Sequence, residues 1–242
     1  MKKYFVVADV HSFYDEMIAA LKEKGYDGAN PEHVFVSLGD LFDRGTSPLE
    51  CLRFVNAISS ERKILIRGNH EDLLFGCLVR EFFLDRDFSN GTADTVYRLA
   101  GETGRALAER NERFLFTAVR EDPEVKKYFA DLRDYAEIGD CVFVHGWIPT
   151  RSKAPKGDWR RGDWWEARWF NGMEKWKHGS RVPDKTILCG HWHASWGHAF
   201  IEKKGTEFGE TADFSPFVGS GIVALDACTS HSHKVNCVVL EM

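Results

Sequence analysis

The sequence predicts an α/β fold with a mostly parallel sheet, on three observations. Short apolar runs alternate with runs whose apolar residues keep helical spacing through residues 3–71. Each apolar run ends in a polar cluster rich in Asp, His, Asn and Arg. Later apolar runs repeat the same strand-then-cluster grammar after a long helical interruption. Alternating strand and helix signals call for crossover connections, and those place all the strand ends that carry polar groups along one rim.

Taken in order, Lys3 to Ala8 reads as a first strand that ends in Asp9-Val10-His11. Strand side chains alternate, so residues two apart point to one side, and Asp9 and His11 can reach one point. A capping Asp before the next helix is the competing reading of Asp9. That helix, Ser12 to Lys24, spaces Phe13, Met17, Ile18 and Leu21 helically. Gly25 to Pro31 is a loop. Val34 to Leu38 is a buried strand running into Gly39-Asp40 and Asp43-Arg44-Gly45, the stretch around which the chain is organised. Pro48 to Ser59 is a second helix and Lys63 to Ile66 a third strand, ending in Arg67-Gly68-Asn69-His70-Glu71.

From about residue 72 to 133 the sequence reads as a helical insertion, with helices over Leu73 to Leu84, Thr92 to Arg110 and Asn111 to Arg120 and turn chemistry at Ser89-Asn90-Gly91 and Gly101. Tyr135 to Ile138 and Cys141 to Val144 form a hairpin whose second strand ends at His145-Gly146. Residues 151–181 interleave Trp159, Trp164, Trp165, Trp169 and Trp176 with Arg160, Arg161, Arg168 and Arg181. That composition suits either a lid packed on the insertion or a nucleotide and anion platform built on stacking and paired hydrogen bonds. Thr186 to Cys189 is a strand ending in Gly190-His191-Trp192-His193, and Ile222 to Asp226 and Val235 to Leu240 are expected to complete a second sheet. Asp226, at a strand end, reads first as structural. The whole is expected to form one domain, residues 1–242.

With 242 residues, 43% of them hydrophobic, the chain can bury a sizeable core. A net charge of −5 without a long basic block argues against a nucleic-acid partner. No apolar run approaches the length of a signal peptide core or membrane span, so no membrane partner and a cytoplasmic location are expected. The six cysteines, scattered and without Cys-x-x-Cys, read as core thiols. His33, His178, His198, His231 and His233 default to solvated positions.

Five strand ends then stand together: Asp9-x-His11, Gly39-Asp40-x-x-Asp43-Arg44, Gly68-Asn69-His70-Glu71, His145-Gly146 and Gly190-His191-x-His193. Oxygen and imidazole donors without thiolate suit divalent Mn, Fe or Zn, and seven are enough for two ions. The ordered set resembles the calcineurin-like metallophosphoesterases, in the branch that holds phosphoprotein phosphatases and dinucleoside tetraphosphatases. The resemblance implies a four-layer αββα sandwich of two mixed β-sheets flanked by helices. It also implies that Asp9, His11 and His193 bind one ion, that Asn69, His145 and His191 bind the other, and that Asp40 bridges both. Manganese is the first expectation for the pair. His70 would be the general acid, oriented by Asp43, with Arg44 on the phosphate oxygens. Arg168 looks like the second phosphate-binding arginine of bacterial relatives.

Two departures concern the substrate: Ser12 stands where the family usually has Gly, and the pair His191 and His193 is commoner in the wider superfamily than in eukaryotic protein phosphatases. The leading expectation is a metal-dependent phosphomonoesterase of the serine/threonine protein phosphatase type, acting on a phosphorylated protein or small phosphoester. A dinucleoside polyphosphate hydrolase is the alternative. A non-catalytic scaffold is disfavoured because none of the seven ligand positions is lost.

Overall fold

The computed structural model describes residues 1–150 and 157–242; residues 151–156, the start of the Trp- and Arg-rich stretch, lie outside the described residues. The first half runs β1 (Lys3–Val7), α1 (Tyr14–Glu23), β2 (His33–Ser37), α2 (Pro48–Ala57) and β3 (Lys63–Ile66). Five helices follow, α3 (Asn69–Arg80), α4 (Asp85–Ser89), α5 (Thr92–Ala108), α6 (Arg113–Glu121) and α7 (Pro123–Asp131). Then come β4 (Leu132–Arg133), β5 (Ala136–Ile138), β6 (Cys141–Phe143), α8 (Trp164–Ala167), α9 (Gly172–Lys177) and β7 (Thr186–Cys189). The chain closes with α10 (Ala194–Gly197), β8 (Phe217–Gly219), β9 (Ile222–Ala224), α11 (Thr229–Ser232) and β10 (Cys237–Glu241).

The strands build two five-stranded sheets, ordered β10-β1-β2-β3-β4 and β5-β6-β7-β9-β8. β1 to β4 are mutually parallel with β10 antiparallel on one edge, and β6, β7 and β9 are parallel between antiparallel β5 and β8. Period-two alternation sorts the apolar side chains into layers. Val6, Val36, Ile66, Phe143 and Leu188 meet in a core between the two sheets. Their strand neighbours Phe5, Phe35 and Leu65 face a second core shared with Met17, Leu52, Leu74 and Phe116 of the helices. On the other side Val142, Ile187 and Ile222 pack with Trp147, Trp164 and Met173. Three cores between four layers make the expected αββα sandwich. Parallel strands carry both faces apolar for this reason, which is why β2 is buried throughout.

The differences from the sequence reading have local causes. The last strand, expected in the second sheet, joins the first: β10 pairs with β1 from Lys3↔Glu241 to Val7↔Cys237. A strand's own residues show which faces are apolar but not which edge it fills. The third helix starts at Asn69, not Leu73, because the Glu71 carboxylate reaches back to accept the Gly68 N–H at 2.7 Å. The sequence reading had no helix over Pro123–Asp131, although the Asp122 side chain accepts the Glu124 and Val125 N–H groups and Pro123 stands in the first turn. α5 breaks at Gly101, where φ is 63°. His33 and His198 are buried rather than solvated: His33 packs on Phe5 at 4.7 Å between ring centroids, and His198 lies within hydrogen-bonding distance of Glu202 and the Ser215 carbonyl. All six cysteines are free, five of them buried. Among the described residues no helix is long and apolar enough to cross a membrane.

The inter-sheet core sets the stability scale. Phe143→Ala should cost about 3–5 kcal/mol, and Val218→Ala, at an exposed strand position, less than about 0.5 kcal/mol. Urea unfolding of the two variants checks this; equal losses would contradict the layer assignment.

Candidate active site

Polar residues at the carboxyl ends of β1, β2, β3, β6, β7 and β9 converge, because the parallel strands of both sheets end on one rim. Asp9, His11, Asp40, Asn69, His70, His145 and Asp226 are all buried. Two groups of donor atoms gather closely enough to share a cation, His11 with Asp40 and His70, and Asp40 with His145 and His191. Asp40 is common to both. Its Oδ2 lies 3.8 Å from His11 Nε2 and 4.0 Å from His70 Nε2, and its Oδ1 lies 3.4 Å from His145 Nε2.

The backbone fixes which ring nitrogens face this centre. His11 Nδ1 donates to the Phe42 carbonyl at 3.0 Å and His145 Nδ1 to the Leu38 carbonyl at 2.8 Å. A carbonyl only accepts, so each Nδ1 carries a proton and each Nε2 faces the centre, the arrangement that orients metal-binding histidines. Asn69 Oδ1 lies 2.8 Å from His145 Nε2.

The electrostatics describe a buried site short of positive charge. Burial raises Asp9 well above its ordinary value, and Asp226 adds to the rise. Burial opposes ionisation of Asp40 as well, but His145, His70 and His11 outweigh it and hold that carboxyl well below the usual range. Burial disfavours a charged His145, yet Asp40 and Asp9 bring it to about 10, while burial and the neighbouring His145 push His191 down to about 3. Carboxylates and imidazoles of opposite tendency in one buried cluster are the donor set that a divalent cation satisfies, so the residues fit a metal centre.

Asp43, His70 and Arg44 form a chain beside it. His70 Nδ1 donates to Asp43 Oδ2 at 2.7 Å, and Thr92 and Thr95 hydroxyls each donate to the same carboxylate at 2.7 Å. The exposed Arg44 places Nη2 3.3 Å from His70 Nε2. Burial works against a charged His70, but Asp40 and Asp43 raise its pKa.

Three sequence-identified residues are placed otherwise. Asp9 lies outside both donor groups, its carboxylate accepting from His191 N at 3.0 Å. His193 Nε2 sits 2.8 Å from Glu207 Oε1, also outside both groups. Arg168 is buried, with its guanidinium bonded to Asp72 and Asp134. Nη1 and Nη2 are committed to carboxylates while the buried Nε has no partner, so the geometry does not meet the expectation of a second phosphate clamp.

Sequence reasoning assigned no role to Glu71, Thr92, Thr95, Tyr128 or Glu207. The Glu71 carboxylate accepts four hydrogen bonds, from Gly68 N, Asp40 N, Leu41 N and the Tyr128 hydroxyl, at 2.7–2.9 Å. A glutamate three residues after the helix-starting Gly68, able to reach back to its N–H, is the signal that could have found it. Gly68 is required there, since a side chain would overlap Asp40.

Asp9, His11, Ser12, Asp40, Asp43, Arg44 and His191 all have φ between 50° and 72°. Side chains other than Gly enter this region only at a cost, and such strain gathers at functional sites. Ser12 is the position where Gly was anticipated; it is buried and its hydroxyl has no partner. Ser12→Gly should therefore raise stability by about 1 kcal/mol, through relief of the left-handed backbone and loss of an unpaired hydroxyl. A lower urea midpoint for Ser12→Gly would show that the serine contributes a contact of its own.

Comparison with known proteins agrees with this geometry. The family model for calcineurin-like phosphoesterase matches residues 2–195. A symmetrical bis(5'-nucleosyl)-tetraphosphatase of Actinobacillus pleuropneumoniae is 39% identical over 196 residues, 76% of this chain and 68% of the relative. The asymmetrical bis(5'-nucleosyl)-tetraphosphatase PrpE of Bacillus subtilis is 27% identical over 193 residues, 70% and 75% of the two chains. Among solved structures, a cold-active protein-tyrosine phosphatase of a psychrophilic Shewanella shares the fold, with a TM-score of 0.59, 19% identity, and coverage of 100% of this chain and 76% of that one.

Proposed function

Since the chain belongs to the calcineurin-like phosphoesterase family and is a phosphoester hydrolase, we propose that its substrate is a dinucleoside polyphosphate, cleaved at a P–O bond of the polyphosphate bridge. The observation that carries this reading is the likeness to bis(5'-nucleosyl)-tetraphosphatases across two thirds or more of their length. It moves the serine/threonine protein phosphatase reading to second place. The Shewanella phosphatase shares the fold at too low an identity to argue for a protein substrate.

Two divalent ions would be held with Asp40 between them, His11 and Asp9 on one side and Asn69, His145 and His191 on the other. His193 is the ligand this geometry supports least, because Glu207 holds its Nε2. Manganese, iron or zinc each suits the mixed oxygen and imidazole set. When bound, such a pair supplies charge neutralisation and a hydroxide nucleophile at neutral pH.

The remaining steps belong to side chains. Arg44, exposed beside His70, donates to the phosphoryl oxygens, where charge must be held through the transition state. His70 gives a proton to the leaving oxygen, and Asp43, fixed by two threonine hydroxyls, holds the ring in place. An anhydride P–O–P bond releases a phosphate oxygen of low basicity, so the proton matters less than for an alkyl ester.

Three measurements test this. Diadenosine tetraphosphate should be turned over with higher kcat/KM than nitrophenyl phosphate or a phosphoserine peptide, and chromatography of the products, two ADP or ATP plus AMP, assigns the bond cleaved. Preference for the peptide would restore the protein phosphatase reading. Asp40→Asn should reduce bound metal from about two equivalents to one or fewer, read by elemental analysis; full metal content in that variant would remove Asp40 from the bridging position. His70→Asn, with metal content checked, should lose about 10²- to 10⁴-fold on phosphoserine and far less on diadenosine tetraphosphate. Equal losses on both would exclude the proton-donor role.

A further inference from the structure

The Trp- and Arg-rich stretch and the helices after β3 face each other across a cavity of about 680 Å³. Trp165 and Trp169 form one wall; Leu73, Arg86 and Asn90 line the other, and Asp72 lies two residues beyond His70. We propose that this cavity seats one nucleobase of the dinucleoside polyphosphate, an inference that rests on the substrate reading above and adds where the nucleoside goes.

Position is the first argument. The Trp169 ring stands edge-on to His191 with centroids 5.8 Å apart. A base in the cavity is therefore next to the phosphoester centre. Shape is the second. Trp147, Trp159 and Trp164 are buried in the core and Trp176 donates to the Ser220 carbonyl, whereas Trp165 leaves 64% of its surface exposed and Trp169 42%. Two exposed indoles over a cavity give a planar ligand faces to stack on. Opposite them Gly76 leaves the helix surface bare, with nothing within 4 Å of where its side chain would be. The volume lies within the range of small-ligand sites.

Charge is the third. Asp72 would repel a nucleotide, but Arg168 and Arg67 both pair with it. The exposed Arg86 adds a cation to the lining and balances Glu166, which lines the cavity beside Trp165. Arg168 thus acts as a positioning residue, tying the segment that bears Trp165 and Trp169 to the first turn of α3.

The test uses the metal-loaded protein, nitrophenyl phosphate as reporter, and AMP and inorganic phosphate as competing inhibitors. AMP should inhibit about 5- to 150-fold more tightly than phosphate, the range that stacking of one base provides. Trp165→Ala should erase that advantage and Trp165→Phe should keep most of it. Gly76→Leu, a good helix former at an open helical position, should erase it by filling the cavity. AMP that inhibits no better than phosphate, or an advantage that survives both Trp165→Ala and Gly76→Leu, overturns the site. If the AMP advantage behaves as stated but diadenosine tetraphosphate is not turned over, the substrate reading fails and the base site stands.

Discussion

The Glu71 carboxylate is the interaction on which the site depends. It is fully buried and takes hydrogen bonds from the turn after β2, from the end of β3 and from Tyr128 on α7. One side chain thereby fixes the first turn of α3 against the Gly39-Asp40-Leu41 turn. Asp40 reciprocates, with Oδ1 accepting the His70 N–H at 3.0 Å. Burial and the nearby Asp40 push the Glu71 pKa up, while the donors from Leu41 and Asp40 pull it down. Hydrogen bonds to a charged acceptor contribute about 1.5–3 kcal/mol each, enough to hold a buried carboxylate in place. Asp40, Asn69 and His70 owe their mutual positions to it.

Once those turns are locked, strain and charge collect at one point. Six of the candidate site residues take left-handed backbone at the strand ends. The turns are stitched together by main-chain bonds, Asp9 N to Gly39 O, His11 N to Asp40 O and Ser12 N to Leu41 O. From the second sheet, His191 N donates to both Asp9 oxygens. The cost of these conformations is carried by the packed cores on either side, and what results is a basin of carboxylate, amide and imidazole groups facing one centre.

The fold leaves the substrate open, because catalytic machinery at the rim serves any phosphoester that can reach it. Selectivity has to come from what borders the rim. Here that is the helical segment after β3 on one side and the Trp-bearing segment on the other, joined through Arg168, Asp72 and Asp134. An arginine that looks from its motif like a phosphate ligand here pairs with two carboxylates.

Much of this was legible in the sequence because strand ends are local features. A run such as Val34 to Leu38 followed by Gly-Asp announces both a buried parallel strand and a carboxylate at its end, and β3 and β7 were readable to the residue. What the sequence could not decide were contacts between residues far apart in the chain. Nothing near Arg168 says that Asp72, ninety-six positions away, will take its donors, and nothing near His193 says that Glu207 will face its ring. The edge filled by β10 was open for the same reason, since backbone pairing is indifferent to side-chain identity. Spacing along the chain determines what chemistry each strand end brings; the packing of one sheet on the other decides which of those groups are free to use it.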